Sequence, residues 1–233
     1  MKEKITVVLS IVAVVISFAS ATVSIQQNQS SNDRAARDQL TATVTELIKL
    51  NAANGRLLNT PRDEKDSSFF QELSTNAQMA ASITRQSVFL VGERPDIVTD
   101  VDYAAIAQGL MIVGDIVLAD QYMRIATEKS PSDFYKTVNL RGYANFLFGQ
   151  GKHELGREMY QDALDLFNND TDFNKQTNAY TYQMWMVSEG FNGFIQDAEK
   201  QYQRASSIAN SISLESWKLN VVRSIEQAHG PSQ

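Results

Sequence analysis

The chain has no cysteine, four prolines and two histidines in 233 residues. A cysteine nucleophile is therefore impossible, and the absence fits both an exported protein without disulfides and a cytosolic one. Few prolines, and few β-branched clusters beyond the first twenty-five residues, argue against a sheet. Neither histidine has a second ligand at metal-site spacing. His153 follows Gly151-Lys152 in an expected turn, His229 lies in an expected carboxy-terminal tail, and both read as exposed surface residues. Net charge is −6 with no basic run, which makes nucleic acid and anionic lipid head groups poor partners.

Motifs of chemistry are equally scarce. There is no G-x-S-x-G elbow. Gly149-Gln150-Gly151-Lys152 faintly resembles a phosphate loop, but Phe146 stands where the first glycine is needed and His153 where Ser or Thr is needed. Asp162, Asp165, Asp170 and Asp172 form an acidic patch that reads as a solvated helix end and loop. The expectation is no catalytic residue, no metal, no cofactor and no enzyme.

What is present begins at the amino terminus. Ile5 to Ile25 carry no charge, and twenty-one residues at about 1.5 Å each span about 31 Å, enough for a bilayer core. An uncleaved single-pass anchor is the favoured reading, since the apolar character runs past Ala21 through Val23 and Ile25. The alternative is a secretory signal, with Lys2 and Lys4 ahead of the run and Ala19-Ser20-Ala21 as a cleavage site. Lys2, Lys4 and the amino terminus on one flank favour a cytoplasmic start and an extracytoplasmic body. The expected location is thus a single-pass protein of a bacterial inner membrane; the alternative is an exported soluble protein.

Ala36, Leu40, Thr43, Leu47, Leu50, Asn54 and Leu57 follow the alternating four-and-three spacing of a helical seam. Thr43 and Asn54 are polar interruptions, and Val44 offers an apolar substitute for Thr43 on a broader face. Asn59-Thr60-Pro61 breaks this helix, and Ser68-x-x-Gln71 resembles a capping box for the next. That second helix is expected to run to about Val91, to bury Phe70, Leu73, Ala77, Ala80 and Leu90, and to end at Gly92 and Pro95. Two arrangements stay open, an antiparallel hairpin and a homodimer through residues 36–57.

Three similar patterns follow. The first is Tyr103, Ile106, Ala107, Leu110, Gly114, Ala119, Met123, Ala126 and Pro131; the second is Leu140, Tyr143, Ala144, Leu147, Gly151, Gly156, Tyr160 and Ala163. The third is Tyr182, Trp185, Met186, Gly193, Ala198, Tyr202 and Ala205, with Glu189 where a large apolar residue is expected. This spacing resembles the tetratricopeptide repeat (TPR), in which two antiparallel helices form one unit. Gly114 to Gly151 is 37 residues and Gly151 to Gly193 is 42, the excess over the usual period of about 34 being assigned to a loop over Asn168 to Asn178. Leu214 to Ala228, apolar at Leu214, Trp217, Val221 and Ile225, reads as a capping helix.

The expected architecture is all-α: an anchor or signal over residues 1–25, a helical hairpin or coiled-coil stalk over 26–95, three TPR-like repeats forming a solenoid over 96–212, and a cap and tail over 213–233. The resemblance implies a groove lined by the first helix of each repeat, which places Gln108, Met111, Arg141, Asn145, Phe148 and Gln183 against a bound protein or peptide. The family's clamp for acidic chaperone tails is absent, because its slots hold Ala104, Gln108, Gly142, Tyr180 and Met184. The expected function is a membrane-tethered scaffold for a protein or peptide partner. The alternatives are an exported binding or assembly factor, and a helical regulatory subunit for a small molecule.

Overall fold

The computed structural model describes residues 31–57 and 67–230. The expected anchor over residues 1–25 and the break at Asn59-Thr60-Pro61 lie outside them. Among the described residues there are nine α-helices and no strand: α1 over residues 31–57, α2 (Ser67–Glu93), α3 (Asp100–Val113), α4 (Ile116–Glu128), α5 (Asp133–Gly149), α6 (His153–Asp165), α7 (Asp172–Phe191), α8 (Ile195–Asn210) and α9 (Glu215–His229). None of these helices is long and apolar enough to cross a membrane. The chain divides into two compact units between Val98 and Thr99, against an expected boundary at residue 95.

In the first unit, α1 and α2 form an antiparallel hairpin. Leu47 and Leu50 of α1 share a core with Ala80 and Ile83 of α2, while Asp33 near the start of α1 meets Arg94 just past the end of α2 at 2.6 Å. Val44, not Thr43, joins Leu40, Leu47 and Leu50 in the buried face. Thr43 instead turns its hydroxyl back to the Leu40 carbonyl at 2.9 Å, the usual local outlet for a mid-helix threonine.

Three expectations for α2 are corrected. Phe69 is buried and Phe70 is exposed, because eleven residues at about 100° each bring Phe69 within about 20° of Ala80, whereas Phe70 is about 80° away. Ser68 lies inside the helix rather than capping it. At the other end the helix passes through Gly92 to Glu93, and Arg94 N–H still reaches the Leu90 carbonyl at 2.9 Å. Pro95, opening a 3₁₀ turn over Pro95–Ile97, is the real stop.

The second unit is a stack of three hairpins, α3/α4, α5/α6 and α7/α8, closed by α9. Each hairpin turns at a glycine in the left-handed region, Gly114 at φ 82°, Gly151 at 72° and Gly193 at 81°, where a β-carbon would cost about 1–2 kcal/mol. Of the alanines in the three patterns, Ala107, Ala119, Ala126, Ala144, Ala163 and Ala205 are fully buried, which lets paired helices approach closely, and Ala198 is half-buried. Packing is sequential. α4 meets α5 and α6 meets α7, while α3, α5, α7 and α9 also touch in succession. On α9, Val221 and Ile225 are buried against Ala179, Ala205, Ala209 and Ile212, but Trp217, and Leu214 just ahead of the helix, remain exposed.

The stretch expected as a loop over Asn168 to Asn178 is helical from Asp172 onward. Thr171 caps it, its hydroxyl accepting from Asn174 N–H at 3.2 Å. The excess residues therefore lengthen α7. Asp172 does a second job: its two carboxylate oxygens accept from Ser213 and Leu214 N–H, each at 2.9 Å, tying the start of α7 to the entry of α9. Those backbone bonds hold its carboxyl below the usual aspartate value.

Candidate partner-binding surface

The six residues expected to line a groove fall into three groups. Gln108 and Met111, three apart on α3, are exposed. Arg141 and Asn145, four apart on α5, share a face with the exposed Val138. Phe148 and Gln183 do not belong to an open surface. Phe148 is 2% exposed and lies in a core shared by α5, α6 and α7 with Ala144, Tyr160 and Trp185. A β-carbon on Gly156 would stand 2.5 Å from its ring, so the glycine at this position makes room for Phe148. Gln183 is engaged by α9: its amide donates to the Ser224 carbonyl at 3.0 Å and hydroxyl at 3.1 Å.

Arg141 is the unexpected member. It is only 9% exposed, although its helix neighbours at 138 and 145 face solvent. Among the described residues it makes no hydrogen bond or ion pair, and its Nε is buried without an acceptor. Burial pulls the guanidinium down to about 10, with only the nearby Tyr160 phenol opposing it. It remains a cation at neutral pH, without a counter-charge.

Beside it lies a polar cluster that joins the second and third hairpins. Asn145 Oδ1 accepts from the Tyr160 hydroxyl and from Ser188 Oγ, the latter at 2.6 Å, and Tyr160 and Ser188 oxygens are 2.9 Å apart. The Asn145 amide nitrogen is left for an outside acceptor. Burial raises the Tyr160 phenol well above the ordinary tyrosine value, so it is a neutral donor. Trp185 stacks on Tyr160 at 5.5 Å and on Tyr182 at 6.2 Å, both nearly parallel.

Glu189, the acid in an apolar slot, is explained one turn further on. It is 0% exposed and receives Arg157 in two parallel bonds of 2.8 Å, plus Trp185 Nε1 at 2.8 Å. Arg157 also pairs with Glu154, approaches Asp197 at 3.7 Å and sits 4.9 Å above the Phe194 ring. These contacts raise its guanidinium above the ordinary value, the Glu189 bonds most of all. Sequence reasoning missed this pair. Its signal was present, since an acid at a buried slot requires a donor.

The remaining polar candidates have structural partners. His153 is half-buried rather than exposed, edge-on to Phe194 at 4.8 Å with a ring nitrogen 3.2 Å from Asn192 Oδ1. His229 belongs to the last turn of α9, not to a tail, and stacks on Tyr202 at 3.9 Å with Glu199 at 3.1 Å. The acidic patch is dispersed: Asp165 accepts from Gln161, Asp170 pairs with Lys175 at 2.9 Å, and Asp172 ties α7 to the entry of α9 as described. Asp162 and Asp165 edge a cleft of about 560 Å³ between α4, α5 and α6, with Leu140, Tyr143 and Met159 also in its walls. Among the described residues no three acidic, histidine or cysteine side chains gather as a metal site. Compared with family models, curated proteins and solved structures, the chain gives no match.

Proposed function

We propose that the protein is a membrane-tethered interaction scaffold that holds a protein or peptide partner against the first helices of TPR-like repeats. One observation carries the reading. Val101, Gln108 and Met111 on α3, with Val138 and Asn145 on α5, are exposed although they sit on the two helices that begin successive hairpins. Exposed side chains of mixed apolar and hydrogen-bonding character at helical spacing suit an extended or helical peptide. The TPR resemblance would set these helices on the inner surface of a solenoid. The uncharged run Ile5 to Ile25 is the proposed tether.

Photo-crosslinking from native membranes tests this directly. A crosslinking residue at Met111 or Val138 should trap a discrete partner, whereas one at the exposed Gln203 of α8 should not. Trapping only from Gln203 would move the site to the second helices. A soluble species beginning at Thr22 would replace the tethered scaffold by the exported one.

A further inference from the structure

We infer that Arg141 is the base of a carboxylate-binding pocket, walled by Asn145 of α5, Tyr160 of α6 and Ser188 of α7. The inference rests on the binding-face reading and gives its ligand a chemical class. An arginine residue nine-tenths removed from water, with its Nε fully buried, normally stands against an acid. Among the described residues no acid pairs with it: Glu189, next to Ser188 in sequence, is engaged by Arg157 and Trp185. Arg141 is thus a desolvated cation with an idle planar fork, flanked by an amide nitrogen that has no acceptor of its own.

The charge balance selects the anion. Arg141 brings one uncompensated positive charge, and the neighbouring hydroxyl groups and amide are neutral, so a singly charged carboxylate closes the account better than a phosphate dianion. Geometry agrees, since a carboxylate accepts two parallel bonds from one guanidinium. A second acceptor position would be satisfied by Asn145 Nδ2, because Asn145 Oδ1 is held by Tyr160 and Ser188. The carboxylate can belong to a peptide end or side chain, or to a small acid.

The test uses the full-length protein with acetate, N-acetyl-diglycine, the amide of that peptide, and inorganic phosphate as probes. Acetate and the free-acid peptide should each raise the thermal midpoint in a concentration-dependent way. The amide should bind about 10- to 100-fold more weakly, the range for loss of a charge-assisted contact. A stronger response to the peptide than to acetate identifies a peptide source; equal responses identify a small acid. Arg141→Met should abolish both responses. Asn145→Asp provides a second arm that keeps Arg141 in place. Its own carboxylate, four residues on, should pair with Arg141, raise the midpoint without any probe and remove the acetate response. An acetate response that survives Arg141→Met, a response to phosphate alone, or no response to any probe would overturn the pocket. Crosslinking through Met111 and Val138 would be untouched by that outcome, so the binding-face reading would then stand without its anion.

Discussion

Removing Arg157 should damage the fold more than removing the acid it serves. In Arg157→Met, Glu189 is left fully buried with only the Trp185 indole N–H as donor. Stranding one charge of a buried pair costs about 3–5 kcal/mol. In Glu189→Leu, which restores the large apolar residue of the repeat pattern, Arg157 keeps Glu154 and Asp197 and its side chain is still 23% exposed. The main loss is then the orphaned Trp185 N–H, about 1–3 kcal/mol. The double variant strands no charge and orphans the same indole, so it should also lose only about 1–3 kcal/mol. The two substitutions are therefore strongly non-additive, with a coupling of about 3 kcal/mol or more. Urea unfolding followed by far-ultraviolet circular dichroism measures all three against the parent, with an unchanged slope as the check on two-state behaviour. Additive losses, or a Glu189→Leu variant less stable than Arg157→Met, would refute the reasoning.

Gly156→Ala places a β-carbon 2.5 Å from Phe148 Cδ2 and 3.1 Å from the Ala144 carbonyl oxygen. Overpacking of about 1–3 kcal/mol should outweigh a helix-propensity gain of up to about 1 kcal/mol, and Phe148→Leu should recover most of the loss in a denaturation series. Asp172 has a folded-state pKa below its unfolded value, so its contribution to stability is present above about pH 4 and lost as pH falls below it. The stability gap between the parent and Asp172→Asn should accordingly shrink between pH 5 and pH 3, and a gap independent of pH would refute the stabilising role of its bonds to Ser213 and Leu214. The tether predicts retention in the membrane at high salt and alkaline pH, with an intact mass that includes residues 1–21.

The hairpins were legible because their signals are local. A glycine closes each turn, alanines mark the close approaches, and both can be read within a dozen residues. The departures arise where a side chain's fate depends on a distant letter. Phe148 has the spacing of a groove residue, but Gly156 opens a space for it in the core. Gln183 has the spacing too, yet Ser224, 41 residues away, takes up its amide. Phe69 and Phe70 differ only in helical phase, which Ala80 sets. The helical start at Asp172 was readable from Thr171 as a cap, but a polar composition masked it. For Arg141, the sequence showed a cation on the right helix. Its burial without an acid required knowing that Glu189 was engaged elsewhere.

The most direct measurement of the central claim is the affinity of the captured partner for charge substitutions on two sets of helices. Met111→Asp and Val138→Asp introduce a charge on exposed faces of α3 and α5 without touching the core, and Gln203→Asp does the same on α8. The account predicts at least about a tenfold loss of affinity for the first two, consistent with placing a charge in an apolar contact, with helicity unchanged and Gln203→Asp within about twofold of the parent. Full affinity in Met111→Asp and Val138→Asp, with a loss confined to Gln203→Asp, would contradict it.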